Sequence, residues 1–106
     1  MIRVYVASPY SIGDAEENVR RNLEAADLLM DFGFAPYAPL LNHYQHQIRP
    51  RSYDDWLRLD MEWLAQCRAV LRLPGESRGA DLEVARAQEL GIPVFYDIDL
   101  LVGAYQ

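Results

Sequence analysis

Four short apolar runs, separated by stretches at helical spacing, constrain this chain more than any other feature. Strands that alternate with helices must lie parallel in one sheet, because each helix has to carry the chain back across it. The runs are residues 2–7, 34–37, 68–74 and 92–96. After the first, Asp14 stands in N-cap position with Glu17 three residues on, and Val19, Leu23, Ala26 and Met30 recur at helical spacing until Gly33. Ser52 and Asp55 open a second helix carrying Trp56, Leu59, Trp63 and Leu64 before Cys67. Residues 77–90 form a third, stopped by Gly91, and the tail allows one helical turn over 100–105. Residues 39–51, polar and aromatic without a period, read as an unusually long loop. The expected fold is therefore α/β: a Rossmann-like or flavodoxin-like three-layer sandwich, with a four-stranded parallel sheet in the order 2-1-3-4 and one domain over residues 1–106.

Composition narrows the chemistry. All ten basic residues are arginine, against sixteen acidic ones, for a net charge of −6. Without lysine there is no Schiff-base catalyst, no Walker-type phosphate loop and no receiver-domain phosphorylation site. An acidic chain without a basic cluster is also a poor binder of nucleic acid. The single cysteine, Cys67, has no internal disulfide partner and reads as a small buried hydrophobe. No run approaches the ~20 apolar residues of a membrane span, and the start is too interrupted for a secretory signal. A cytoplasmic protein is expected, with no membrane partner. A second copy of the chain, as a homodimer or higher homo-oligomer, is expected to cover exposed sheet edges.

The order 2-1-3-4 reverses direction between strands one and three, which opens a crevice at their carboxyl ends. Two loops border it: one carries Ser8, Tyr10, Ser11 and Gly13, the other Ser77, Arg78 and Gly79. Each runs into a helix N-terminus, where free N–H groups suit a phosphate or a developing negative charge, although glycine and serine there also serve plain turns and caps. Gly79 and Glu83 are four apart on one helix face, so a residue without a side chain leaves space beside a carboxylate. The helix dipole and any hydroxyl donor are expected to keep Glu83 ionised and nucleophilic. An ordinary surface glutamate fits the same spacing. Asp60 lies within the stripe Trp56, Asp60, Trp63, Cys67, an odd place for an acid unless it is hydrogen-bonded or lines a cavity. Two acids in different surroundings can divide the roles of nucleophile and proton donor.

Three segments together carry a likeness to a known family: Tyr5-Val6-Ala7-Ser8-Pro9-Tyr10, Asp60 ahead of the third strand, and Ser77-Arg78-Gly79-Ala80-Asp81-Leu82-Glu83. The chain resembles the nucleoside 2-deoxyribosyltransferase superfamily over residues 2–97, including its 2'-deoxynucleoside 5'-phosphate N-hydrolases and small uncharacterised bacterial and phage members. The resemblance implies cleavage of the N-glycosidic bond of a small-molecule nucleoside or nucleotide, with no cofactor. By the same likeness Glu83 is the nucleophile, Asp60 lies near the nucleobase, Tyr5 hydrogen-bonds the nucleophile, and Ser77 and Gly79 hold the sugar's 5' end. Serine at 77, where the transferases tend to carry a carboxylate, points to a 5'-monophosphate. Pro9-Tyr10 replaces the denser glycine of the nucleotide hydrolases.

In the long loop and just after it, Tyr44 and Trp56 suit an aromatic lid over a nucleobase, while Trp63 is expected in the core. His43 and His46, three apart with no cysteine near, are not read as a zinc site. Arg72, inside the third strand, has no role that spacing reveals. Transfer of deoxyribose between bases, nucleotide sensing without turnover, and flavin binding remain as rivals.

Overall fold

The computed structural model describes residues 1–106. The elements run β1 (Arg3–Ala7), α1 (Ala15–Asp31), β2 (Ala35–Tyr37), a 3-10 turn (Pro39–Leu41), α2 (Asn42–Ile48), α3 (Tyr53–Leu64), β3 (Ala69–Arg72), α4 (Arg78–Glu89), β4 (Val94–Phe95) and α5 (Ile98–Tyr105). The four strands form one parallel sheet in the order β2-β1-β3-β4, as the alternation predicts. Val4 of β1 is level with Ala69 of β3 and Pro36 of β2. Pro36 is tolerated because β2 is an edge strand, where a missing N–H costs no ladder bond.

Alternation along β1 divides the core in two. Val4 and Val6 face α1 and α5, packing with Ala26, Leu29, Phe34, Ala69, Leu71 and Leu101. Tyr5 and Ala7 face α3 and α4, packing with Leu64, Cys67, Val70, Ala80 and Ala87. Cys67 is thus a small buried hydrophobe, as expected, and α1 lies on one face of the sheet with α3 and α4 on the other.

The helix starts follow the capping residues. Asp14 accepts from the backbone N–H groups of Glu16 and Glu17, Ser52 from that of Asp55, and Ser77 from that of Ala80. Gly33 leaves α1 with φ +86°, a conformation that favours glycine.

Three expectations fail here. Residues 39–51 are not a loop: after the 3-10 turn, seven residues wind into α2, which has no side-chain N-cap and no buried residue. Its support is tertiary, through Asn42 and His43, so neither cap nor apolar period announces it. The tail is a full helix of eight residues, because Asp97 caps it two residues earlier than the expected turn. Trp63 is not core. It is 52% exposed and stacks on Tyr37 at 5.8 Å, which stacks in turn on Tyr5 at 5.4 Å. No helix is long and apolar enough to cross a membrane.

Candidate active site

Two loops at the carboxyl ends of β1 and β3 are each held by a polar residue buried in a neighbouring element. Asn22 of α1 donates from Nδ2 to the Val6 carbonyl at 3.1 Å and to Ser8 Oγ at 2.8 Å. One turn earlier, Asn18 donates to the carbonyls of Tyr10 and Ile12, both at 2.9 Å. These asparagines fix the first loop, and their only sequence signal is a polar pair on the α1 stripe that continues to Ala26 and Leu29. The second loop is held by Arg72, 8% exposed, whose guanidinium donates to the carbonyls of Leu73 and Gly75 and to Asp81 Oδ1. The arginine without a sequence role therefore clamps the entry to α4. The loops also touch: Gly75 has φ +118°, and a Cβ there would lie 2.8 Å from Pro9 Cγ.

Between the loops, α2 and α3 lies a cavity of about 660 Å³. Of the sequence candidates, Ser8, Tyr10, Ser11, Trp56, Asp60, Ser77, Arg78, Gly79 and Glu83 line it. Tyr5 reaches it through Glu83. Gly13 and Tyr44 do not line it; Tyr44 is turned toward the outer groove along α1, beside Leu23 and Leu28. Asn42, His43, His46, Arg51, Tyr53 and Leu57 also line the cavity; the sequence offered His43 and His46 only as a rejected metal pair and gave the others no site role. Asn42, His43 and His46 lie in the helix that has no periodic signal.

Glu83 is 8% exposed and so is not a surface residue. Its Oε2 accepts a hydrogen bond from the Tyr5 hydroxyl, which rises from the sheet beneath it. Gly79 keeps the space one turn away open: a Cβ there would approach nothing closer than 4.0 Å. The electrostatics differ from expectation. Burial pushes the Glu83 carboxyl up to about 8, against the lowering effect of the Tyr5 hydrogen bond; the charge of Asp60 raises it further and that of Arg72 lowers it. The dipole-and-donor argument for an ionised Glu83 is thus outweighed by desolvation on burial. Tyr5 is held neutral, its hydroxyl raised well above the ordinary range by burial first and by Glu83 second.

Asp60 meets both conditions set by its place on an apolar stripe. Oδ1 accepts from Tyr37 at 3.3 Å and Asn42 at 3.1 Å, and the side chain lines the cavity. Burial raises its carboxyl to about 7 despite those two donors. Burial also raises the Tyr37 hydroxyl, to about 12, so it remains a donor. The cavity thus holds two carboxyls that exchange protons near neutrality, each steadied by a tyrosine of the same stack.

Around Tyr10 a further set closes the first loop onto α2: Tyr10 Oη lies 2.5 Å from His43 Nδ1, and His43 Nε2 lies 3.1 Å from Glu16 Oε1. His46 Nδ1 accepts from the Trp56 indole N–H at 2.9 Å and from the Arg51 backbone N–H at 3.1 Å.

Fold and crevice together define a Rossmann-like α/β protein whose site is a carboxylate-bearing cavity at the topological switch point of the sheet. The chain belongs to the family described as a domain of unknown function (DUF7768), which matches residues 2–97. Among solved structures, the 2-deoxyribosyltransferase of the psychrotolerant bacterium Bacillus psychrosaccharolyticus has a similar fold. The two superpose with a TM-score of 0.64 at 20% identity, over 87% of this chain and 69% of that one. A search of curated proteins finds no match to this sequence.

Proposed function

We propose that this chain cleaves the N-glycosidic bond of a (deoxy)nucleoside 5'-monophosphate, with Glu83 as nucleophile. The observation that carries the reading is a buried carboxyl, hydrogen-bonded to a buried tyrosine, opening on a cavity shared with a second carboxyl. The fold shared with a 2-deoxyribosyltransferase supports the same class of chemistry.

In the first step Glu83 forms a bond to the anomeric carbon as the bond from that carbon to the base nitrogen breaks. The departing nitrogen takes its proton from Asp60. As the sugar ring gains positive charge, the ionised form of Glu83 is favoured, which offsets the cost of burying it. Tyr5 keeps one carboxylate oxygen engaged and so orients the other. In the second step a water molecule attacks the anomeric carbon, returns its proton to Asp60 and frees Glu83. Ser8, Ser11, Ser77 and the N-terminus of α4 with Arg78 and Gly79 supply donors for a 5'-phosphate. Tyr10 and Trp56 complete the substrate wall.

The apolar wall of Pro39, Leu40, Trp56 and Leu57 favours a second reading, in which a free base intercepts the glycosyl ester before water does and deoxyribose is transferred.

The test is chromatographic detection of free base from a panel of nucleoside 5'-monophosphates and their nucleosides. Release from monophosphates and its loss in Glu83→Ala are expected. Exchange with an added base marks transfer. Binding without release from any member would overturn the catalytic reading and leave a sensor.

A further inference from the structure

The two hydrogen bonds received by His46 fix the rest of its chemistry. An indole N–H and a backbone N–H only donate, so Nδ1, which accepts both, carries no proton. The ring proton therefore sits on Nε2, which makes no hydrogen bond within the protein. With Nδ1 engaged by two donors, the ring offers the cavity a donor at Nε2 and no free acceptor.

The position of this donor follows from α3. Trp56 and Asp60 are four residues apart and share one face of that helix, and both line the cavity together with His46. His46 is tied to Trp56 and lines the cavity beside it, and Trp56 stands one helical turn from the carboxyl that protonates the leaving base in the reading above. A planar ring lying along Trp56 would present its edge to the Nε2–H of His46.

We propose that His46 selects the nucleobase, favouring a ring that carries a carbonyl, such as a 6-oxopurine or 4-oxopyrimidine, over its aminated counterpart. The inference rests on the N-glycosidic reading of the cavity. A carbonyl oxygen accepts from Nε2–H. An exocyclic amino group meets it donor to donor and leaves both unpaired, and a site built to hydrogen-bond one group rejects an analogue that leaves the site unpaired.

The experiment has two arms that separate this inference from the function it builds on. In the first, nitrogen-15 NMR of the free protein, with His46 signals assigned by their loss in His46→Gln, is expected to show Nδ1 unprotonated and Nε2 protonated. In the second, inosine and adenosine 5'-monophosphates are compared by kcat/KM and by calorimetric affinity, with a preference for the oxo ring of about tenfold or more. Trp56→Phe keeps a ring on the wall but removes one of the N–H groups that fix Nδ1, and is expected to reduce the ratio while His46 remains. A protonated Nδ1, a ratio near one, a preference for the amino ring or binding of neither nucleotide overturns the assignment. Selective binding without base release leaves it standing and removes only the hydrolase reading.

Discussion

The two faces of the sheet are cut from the same strands, yet one is closed and the other is built around a gap. On the α1 and α5 side, Val4, Val6, Leu29, Phe34 and Leu71 fill the layer with branched and aromatic side chains. On the α3 and α4 side the neighbours of Tyr5 are mostly small, Ala7, Ala80 and Ala87, and Glu83 emerges among them. The difference arises from alternation alone: odd positions of β1 point to chemistry and even positions to packing. Stability and reactivity are thereby assigned to opposite sides of a single strand.

The most severe way to probe that division is Glu83→Ala. It should lower base release by about a thousandfold or more, as removal of a nucleophile does, with no loss of folded protein by circular dichroism. Leu29→Ala on the closed face should do the reverse. A cost of about 2–5 kcal/mol in urea unfolding is expected, with the rate per folded molecule unchanged. If Leu29→Ala changes the catalytic rate, the faces are not separate.

Glu83→Gln sharpens the contrast through pH. The folded carboxyl titrates near 8, against an ordinary value of 4.5, so the native state holds this proton more tightly than the unfolded chain does. The resulting stability is fully present below the ordinary value and is lost as pH rises through 8. The amide removes that loss. Thermal or urea unfolding should show Glu83→Gln gaining about 2–4 kcal/mol on the wild type between pH 5 and pH 9. No such gain would mean that Glu83 is better solvated than its burial indicates.

The smallest expected effect concerns the Tyr5 hydroxyl on the open face. Tyr5→Phe should reduce base release about tenfold, and should move the falling limb of the pH profile upward because the hydrogen bond that lowers the Glu83 carboxyl is gone. The form with Glu83 ionised and Asp60 protonated lies between the two titrations, so in the wild type the rising limb follows the lower value, near 7 at Asp60, and the falling limb the higher, near 8 at Glu83. The profile should therefore be a narrow bell between them.

What the sequence made legible follows the periods it contains. The strands, the long helices, their caps and the order of the sheet could be read because apolar repeats and capping residues are local signals. Glu83 and Asp60 stood out for the same reason, one beside a glycine on a helix face and the other as an acid in an apolar stripe. The α2 wall was illegible because Asn42–Ile48 buries nothing and is held by single hydrogen bonds to distant residues. Trp63 misled because a helical stripe shows which residues share a side but not where the protein ends; this ring is the outer member of a stack that begins in the core. The ionisation of Glu83 was misjudged because a helix dipole is visible in a sequence and desolvation is not.

The contact of Pro9 with Gly75 bears on how such a protein can diversify. The two turns that frame the proposed phosphate end abut with no room for even one added carbon, so neither is free to accept bulk without displacing the other. Substitutions that reshape the cavity are then accommodated away from that seam, on the short helix and the aromatic wall, where side chains can be exchanged while the sheet and the proposed nucleophile stay in place.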